Sequence, residues 1–293
     1  MLYAVTGRPL VIAHRGASAD VAEHTLAAYE LALDQGADGL ECDIRLTADG
    51  HLVCVHDRRI DRTSDGWGVV STKTLDQLNR HDFTVRSRSQ VGDRWRRPLQ
   101  ERRVARRRTA TTSEVPVVSA RGRVLTLPVL LDLVTSSARP LVLAVETKHP
   151  TRYAGWVEEQ LVAQLRQFGL ASTEPHRHQV RMMSFSALAV RRFRQLAPGI
   201  PRVFLTERIP LSVPVGDLPF GAQTAGVDIE LVRRQPEYVE RVHRAGHQFY
   251  CWTVDEPEDV ELCRQLGVDA IITNRPRAVL DQLGVPQSPA ATF

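Results

Sequence analysis

Apolar and polar positions along the chain fall into a repeated strand-then-helix rhythm. Apolar, β-branched runs at 141–147, 179–185, 202–206, 226–232, 248–254 and 270–273 predict strands. Segments at 155–168, 186–197, 236–245, 256–266 and 277–283 carry a helical period after most of them. Gly199, Gly246, Gly267 and Gly284 punctuate the helix ends, and Pro236 and Pro257 stand near helix starts. The first part adds a strand at 10–14, a helix at 24–35 and a strand at 39–46, and a Pro- and Gly-containing loop fills 206–226.

One further apolar run, 51–56, follows the 39–46 strand after only Thr47-Ala48-Asp49-Gly50. A parallel neighbour needs a crossover of about a dozen residues, so this run is an antiparallel hairpin arm. Eight parallel strands alternating with helices remain. They predict a (β/α)8 barrel over residues 1–293, with a doubly wound open sheet as the alternative.

Composition changes the picture in two places. Hydrophobic residues make up 43% and charged residues 25%, which is ordinary for a water-soluble globular chain. No apolar run reaches the roughly 18 to 20 residues of a spanning helix. The start, MLYAVTGRPLVIAHRG, lacks a leader pattern, so the expected compartment is the cytoplasm. The net charge of +4 is unevenly placed: ten arginines lie in 86–108 against Asp93 and Glu101. The irregular stretch 57–126 therefore reads as polar sequence above the barrel mouth, with an arginine-rich insertion at about 84–126. An arginine run of this kind is an electrostatic footprint for nucleic acid or an acidic membrane in a catalytically silent barrel. It is also the composition of a solvated loop, and only Trp95 interleaves with it. A nucleic-acid partner is not expected, and no amphipathic anchor for peripheral membrane contact is evident.

Cys42, Cys54, Cys251 and Cys263 have no C-x-x-C spacing, which disfavours zinc and redox motifs. If Thr47 pairs with Gly50 across the hairpin, Cys54 lies opposite Asp43 and faces away from Cys42. Four free thiols are then expected.

Candidate chemistry gathers where strands end. His14-Arg15-Gly16 closes the first strand: a proton carrier, a cation for a phosphate oxygen, and a glycine that lets a ligand approach. Glu41 and Asp43 stand two apart in GLECDIRL and so share a face, with Leu40, Cys42 and Ile44 opposite. Glu146 and Lys148 end the next barrel strand on one face, about 4.8 Å away laterally. The three carboxylates can converge on a cation, although a plain Glu–Lys ion pair is the alternative. His56-Asp57 ends the arm, and period two from Cys54 puts His56 on the carboxylate side.

The string VIAHRGAS, E-x-T-L-A-A, GADGLECDIRLTADGHLVCVHD and R-T-S-D-G resembles the glycerophosphodiester phosphodiesterase signature. TLPVLLDLV, the acid-x-lysine at Glu146–Lys148, MMSF at 182–185 and CWTVD…LGVDAIITNRP extend it over nearly the whole chain except roughly 84–126. The resemblance implies a (β/α)8 barrel and one divalent cation, Mg²⁺ or Ca²⁺ with Mn²⁺ as a third option, on Glu41, Asp43 and Glu146. It implies His14 and His56 as the general acid/base pair, Arg15 and Lys148 as phosphate-binding cations, and Trp252 and Phe185 as substrate contacts. The implied reaction converts glycerophosphodiesters to glycerol 3-phosphate and an alcohol. A lysophospholipase D-like activity is the close alternative. His24 departs from the family's usual asparagine: it either alters a hydrogen bond near the site or only caps the first helix.

Overall fold

The computed structural model describes residues 7–84, 122–171, 178–209 and 214–286. Nine strands form one sheet: β1 (Leu10–His14), β2 (Gly39–Leu46), β3 (Leu52–Cys54), β4 (Val142–Thr147), β5 (Gln179–Ser184), β6 (Arg202–Thr206), β7 (Thr224–Asp228), β8 (Gln248–Trp252) and β9 (Ala270–Thr273). Their order, β1-β9-β8-β7-β6-β5-β4-β2-β3 with β1 also paired to β2, closes eight parallel strands into a barrel. The open-sheet alternative is thereby excluded. Only β3 is antiparallel, hung on β2 as the expected arm.

Strand alternation sorts the side chains into two layers. Inward positions such as Ile12, Ala144, Met183, Leu205, Tyr250 and Ile272 fill the barrel. Outward positions, including Leu40, Cys42 and Ile44 of β2, pack against the helical ring. The helices begin where the sequence supplies caps. Thr25 accepts from Ala28 N–H at the start of α1 (Leu26–Asp34), and Ser186 accepts from Ala189 N–H at α5 (Ala187–Leu196). Pro257 opens α8 (Pro257–Leu266), and Gly267 in the left-handed region closes it. No helix among the described residues is long and apolar enough to cross a membrane.

Several expectations need correction. The strand read at 226–232 is β7 at Thr224–Asp228. Asp228 then caps α6 (Ile229–Arg234), so the apolar run IELV is the first turn of a helix that sequence alternation alone could not separate from a strand. TLPVLLDLV contains a helix at Leu127–Ser136 (α3), which the periodic reading omitted. The stretch after the arm is not wholly irregular: Ile60, Val70, Leu78, Phe83 and Val124 pack with Val53 and Val55 into a small core of their own. The arginine-rich 86–108 lies outside the described residues.

The hairpin register also differs by one. Ile44 stands opposite Cys54, and Leu46 opposite Leu52, because His51 belongs to the turn. One residue of slip reverses faces. Cys54 therefore lies on the outward side with Cys42, and the two thiols touch within the outer core. All four cysteines are free and buried, as expected, but not for the reason of opposite faces. Gly16 needs a second correction. It has φ +84°, and a Cβ there would meet Ala28 C at 2.6 Å, so it admits helix α1 rather than a ligand.

Candidate active site at the mouth of the barrel

At the carboxyl ends of the strands, the inward positions change from apolar to charged. His14 follows Ile12 on β1, Glu41 and Asp43 lie on β2, and Glu146 and Lys148 continue Ala144 of β4. Glu41 stands beside His14, and Asp43 beside Glu146, in the strand register. A cleft of about 190 Å³ is lined by residues that include His14, Arg15, Glu41, His56, Glu146 and Lys148. Phe185 and Trp252 form an edge-to-face pair at 5.5 Å on its wall, so both substrate-contact expectations fall in the cleft.

Carboxylate oxygens of Glu41, Asp43 and Glu146, one from each, lie within 4.8 Å of one another. All three residues are at most 7% exposed. Burial and the neighbouring Asp43 charge push Glu41 well above the usual carboxylate range, and push Glu146 up to about 8. Asp43 takes the opposite course: despite burial, Arg15, His24 and Lys148 hold it well below that range. Lys148 Nζ bridges Glu146 Oε1 at 2.8 Å and Asp43 Oδ1 at 3.2 Å. Arg15 Nε is 3.0 Å from Asp43 Oδ2, an ion pair whose N–H does not point along the contact. Three acids this close repel one another unless a cation sits among them. An all-oxygen donor set suits a hard ion.

Arg15 reaches this position through an unusual backbone. Its φ is +58°, and its N–H donates to both the carbonyl and Oε2 of Glu41. A non-glycine residue held there costs about 1 kcal/mol or more, offset by these bonds. His24 shares the left-handed conformation at φ +58°. Its Nε2 lies 2.9 Å from Asp43 Oδ2, and its Nδ1 is 2.8 Å from the Tyr29 hydroxyl. Thr25, not His24, caps α1. The residue in place of the usual asparagine thus orients a carboxylate of the cluster.

The two histidines are anchored differently. His14 Nδ1 is 2.8 Å from Asn274 Oδ1. The Asn274 amide nitrogen and backbone N–H both donate to Asp255, which fixes the amide orientation. Oδ1 therefore faces His14 as an acceptor, Nδ1 carries the proton, and Nε2 presents a lone pair. Burial, with Arg15 adding to it, lowers the His14 pKa to about 3. His56 instead pairs Nδ1 with Asp57 Oδ1 at 2.7 Å, a carboxylate partner that favours imidazolium. Burial and the Arg15 and Lys148 charges pull the other way and leave the His56 pKa lowered. His56 lines the cleft although Cys54 faces outward, because β3 ends at Cys54 and the chain turns.

Sequence reasoning assigned no part to Asn274, Asp255, Glu23, Arg62 or Glu207. Period two was a usable signal for two of them: Asn274 continues Ile272 of β9, and Glu207, which lines the cleft, continues Leu205 of β6. Glu23 and Arg62 sit on loops, where no period applies.

Residues 14–278 match the Glycerophosphoryl diester phosphodiesterase family. A Mycobacterium tuberculosis protein named "Probable glycerophosphodiester phosphodiesterase 1" is 44% identical over 273 residues, spanning 93% of this chain and 91% of its own. The Bacillus subtilis "Glycerophosphodiester phosphodiesterase" is 29% identical over 92% of this chain and 84% of its own. Among solved structures, an Oleispira antarctica phosphodiesterase in complex with the product sn-glycerol-3-phosphate superposes with a TM-score of 0.69 at 20% identity. That match covers 94% of this chain and 97% of that one. With a match of this extent, and with the carboxylates, cations and histidines gathered in one cleft, the chain belongs to the glycerophosphoryl diester phosphodiesterase family and is a phosphoric diester hydrolase.

Proposed function

We propose that the protein hydrolyses glycerophosphodiesters to glycerol 3-phosphate and an alcohol, with one divalent cation held by Glu41, Asp43 and Glu146. The observation that carries this reading is the 4.8 Å convergence of three buried carboxylates beneath two cationic side chains and two oppositely anchored histidines. Mg²⁺, Ca²⁺ and Mn²⁺ all suit the oxygen donors. When bound, such an ion stabilises charge on the phosphoryl oxygens.

Charge balance supports the substrate. Three carboxylates and a divalent ion sum to about −1, the diester adds −1, and Arg15 with Lys148 returns the site to neutrality. Asp43 and Glu146 keep the Lys148 ammonium charged in spite of burial, and Asp43 and Glu23 do the same for Arg15. Both can then grip phosphoryl oxygens. His14, with Nε2 unprotonated, takes a proton from the attacking water or substrate hydroxyl. His56, whose protonated form Asp57 stabilises against burial, gives one to the departing alkoxide. Four free, buried thiols accord with a cytoplasmic setting.

Met183, Phe185, Leu205, Trp252 and Ile272 give the cleft an apolar side, which is the observation favouring lysophospholipids as a second substrate class. The deciding experiment measures glycerol 3-phosphate release from several glycerophosphodiesters, and choline release from lysophosphatidylcholine, with and without chelator. Release from none of them, or full activity after exhaustive chelation, refutes the reading.

A further inference from the structure

The barrel fixes His14 through β1, but it does not fix His56. That residue follows β3, the one strand outside the closed barrel, so its position depends on side-chain ties. Arg45 of β2 holds the His56 carbonyl with Nε at 3.0 Å and a terminal nitrogen at 2.7 Å. The ring is held only through Nδ1 on Asp57. Asp57 in turn receives Arg62 Nε at 2.7 Å. The other edge of the same guanidinium donates to both oxygens of Glu23, at 2.6 and 2.8 Å. Glu23 Oε1 also accepts from Arg15 at 3.1 Å. Five residues from two loops, those after β1 and after β3, thus form one line that joins two cleft-lining residues: Arg15, Glu23, Arg62, Asp57, His56.

The line is built for stiffness. Arg62 spends both edges of a planar fork on two carboxylates, a geometry that lysine cannot reproduce. Glu23 sits between two guanidinium cations, and Asp57 between Arg62 and the His56 ring. Glu23 is held at about 2, where Arg62 and Arg15 outweigh burial, and Asp57 at about 2, where Arg62 and His56 outweigh it. Exposed pairs are worth little singly, but a bidentate network with side chains 15–32% exposed restricts its members. A lone Glu–Arg contact would serve stability. A line with the phosphate-binding cation at one end and the proton donor at the other sets their separation.

We infer that Arg62 is a positioning residue that fixes the His56 ring relative to Arg15, so that a diester gripped by Arg15 presents its leaving oxygen to His56. This rests on the roles given to Arg15 and His56 above. The test compares Arg62→Ala, His56→Ala and the double variant on glycerophosphocholine and on a glycerol nitrophenyl phosphodiester, whose leaving group needs no proton. Arg62→Ala should lower kcat on glycerophosphocholine by about 10²-fold, the scale of a misplacement of about 1 Å. The double variant should be no slower than His56→Ala alone, since the two act as a unit. The nitrophenyl substrate should recover most of the loss. Millimolar guanidinium should rescue Arg62→Ala, whereas Arg62→Lys should stay slow. Should Arg62→Ala fail to fold, Arg62→Gln takes its place in the cycle. Additive losses in the double variant, or equal losses on both substrates, overturn the inference. A His56→Ala variant as fast as the parent on glycerophosphocholine overturns the role of His56 itself, and the inference with it.

Discussion

Glu146→Gln makes the cation reading quantitative. The Glu146 carboxyl titrates near 8 rather than its usual 4.5, because burial and Asp43 oppose its charge. In the folded, cation-free protein it binds its proton more tightly than in the unfolded chain. Its contribution to stability therefore falls as pH rises from about 4.5 to 8, by about 5 kcal/mol at most at 1.36 kcal/mol per pKa unit. Glutamine keeps the shape and removes the charge. It also weakens the 2.8 Å contact with Lys148, worth about 1.5 to 3 kcal/mol as a charged hydrogen bond. The chelated variant should then exceed the parent by about 2 to 3 kcal/mol at pH 8 and lose that advantage near pH 4.5. The substitution also relieves Glu41, which the Glu146 charge helps to push up, and this acts in the same direction. Added cation reverses the order. At 1,000 times its Kd an ion adds about 4.1 kcal/mol to the parent, more than the variant's advantage. Two unit charges about 4 Å apart attract by about 4 kcal/mol at an effective dielectric constant of 20, and a divalent ion by more, so the variant should bind at least about 10³-fold more weakly. Urea unfolding at both pH values, with chelator and with Ca²⁺ or Mn²⁺, reads all four states. A variant less stable than the parent in chelator at pH 8, or equally stabilised by the ion, would refute the reasoning.

His14→Ala and His56→Ala should each lower turnover on an alkyl diester by about 10² to 10⁴ without weakening cation binding, checked by kinetics and calorimetry. A nitrophenyl diester should rescue only the His56 variant; rescue of both or neither would undo the division of roles. Asn274→Leu frees the His14 tautomer and should lower kcat more than KM, whereas an effect confined to KM would show that Asn274 acts on binding. Gly16→Ala should destabilise the barrel by more than about 1 kcal/mol in denaturant melts, since its φ of +84° and the 2.6 Å approach of Ala28 both oppose a side chain.

The carboxylate cluster was legible because a strand has a strict period of two. Glu41, Asp43, Glu146 and Lys148 are separated by single residues within strands, so their common face followed from spacing. Closure of the barrel did not follow, since β1 meets β9 over a separation of about 260 residues that no local pattern encodes. The arm failed by one residue because the turn chemistry of Thr47 to Gly50 does not say whether His51 belongs to it. His56 was placed in the cleft from a wrong register and reached it by a bend after Cys54 instead. Ties from Arg45, Asp57 and Arg62 hold the end of the arm. Glu23 and Arg62 sit on different loops 39 residues apart in sequence, and only the folded chain brings them together.

The chain segments on either side of residues 85–121 are held together. Phe83 N–H donates to the Gly122 carbonyl at 2.8 Å, and Leu125 and Thr126 lie along the arm at Cys54 and Val53. A segment spliced between such a clasped pair of ends meets a small entropic charge for its length, about 0.6 kcal/mol for each doubling. The clasp is thus a natural grafting port. Foreign loops, tags or recognition elements exchanged between residues 84 and 122 should leave the strands that carry the carboxylates in register. The same port offers descendants of this chain a way to gain sequence while the chemistry of the cleft stays fixed.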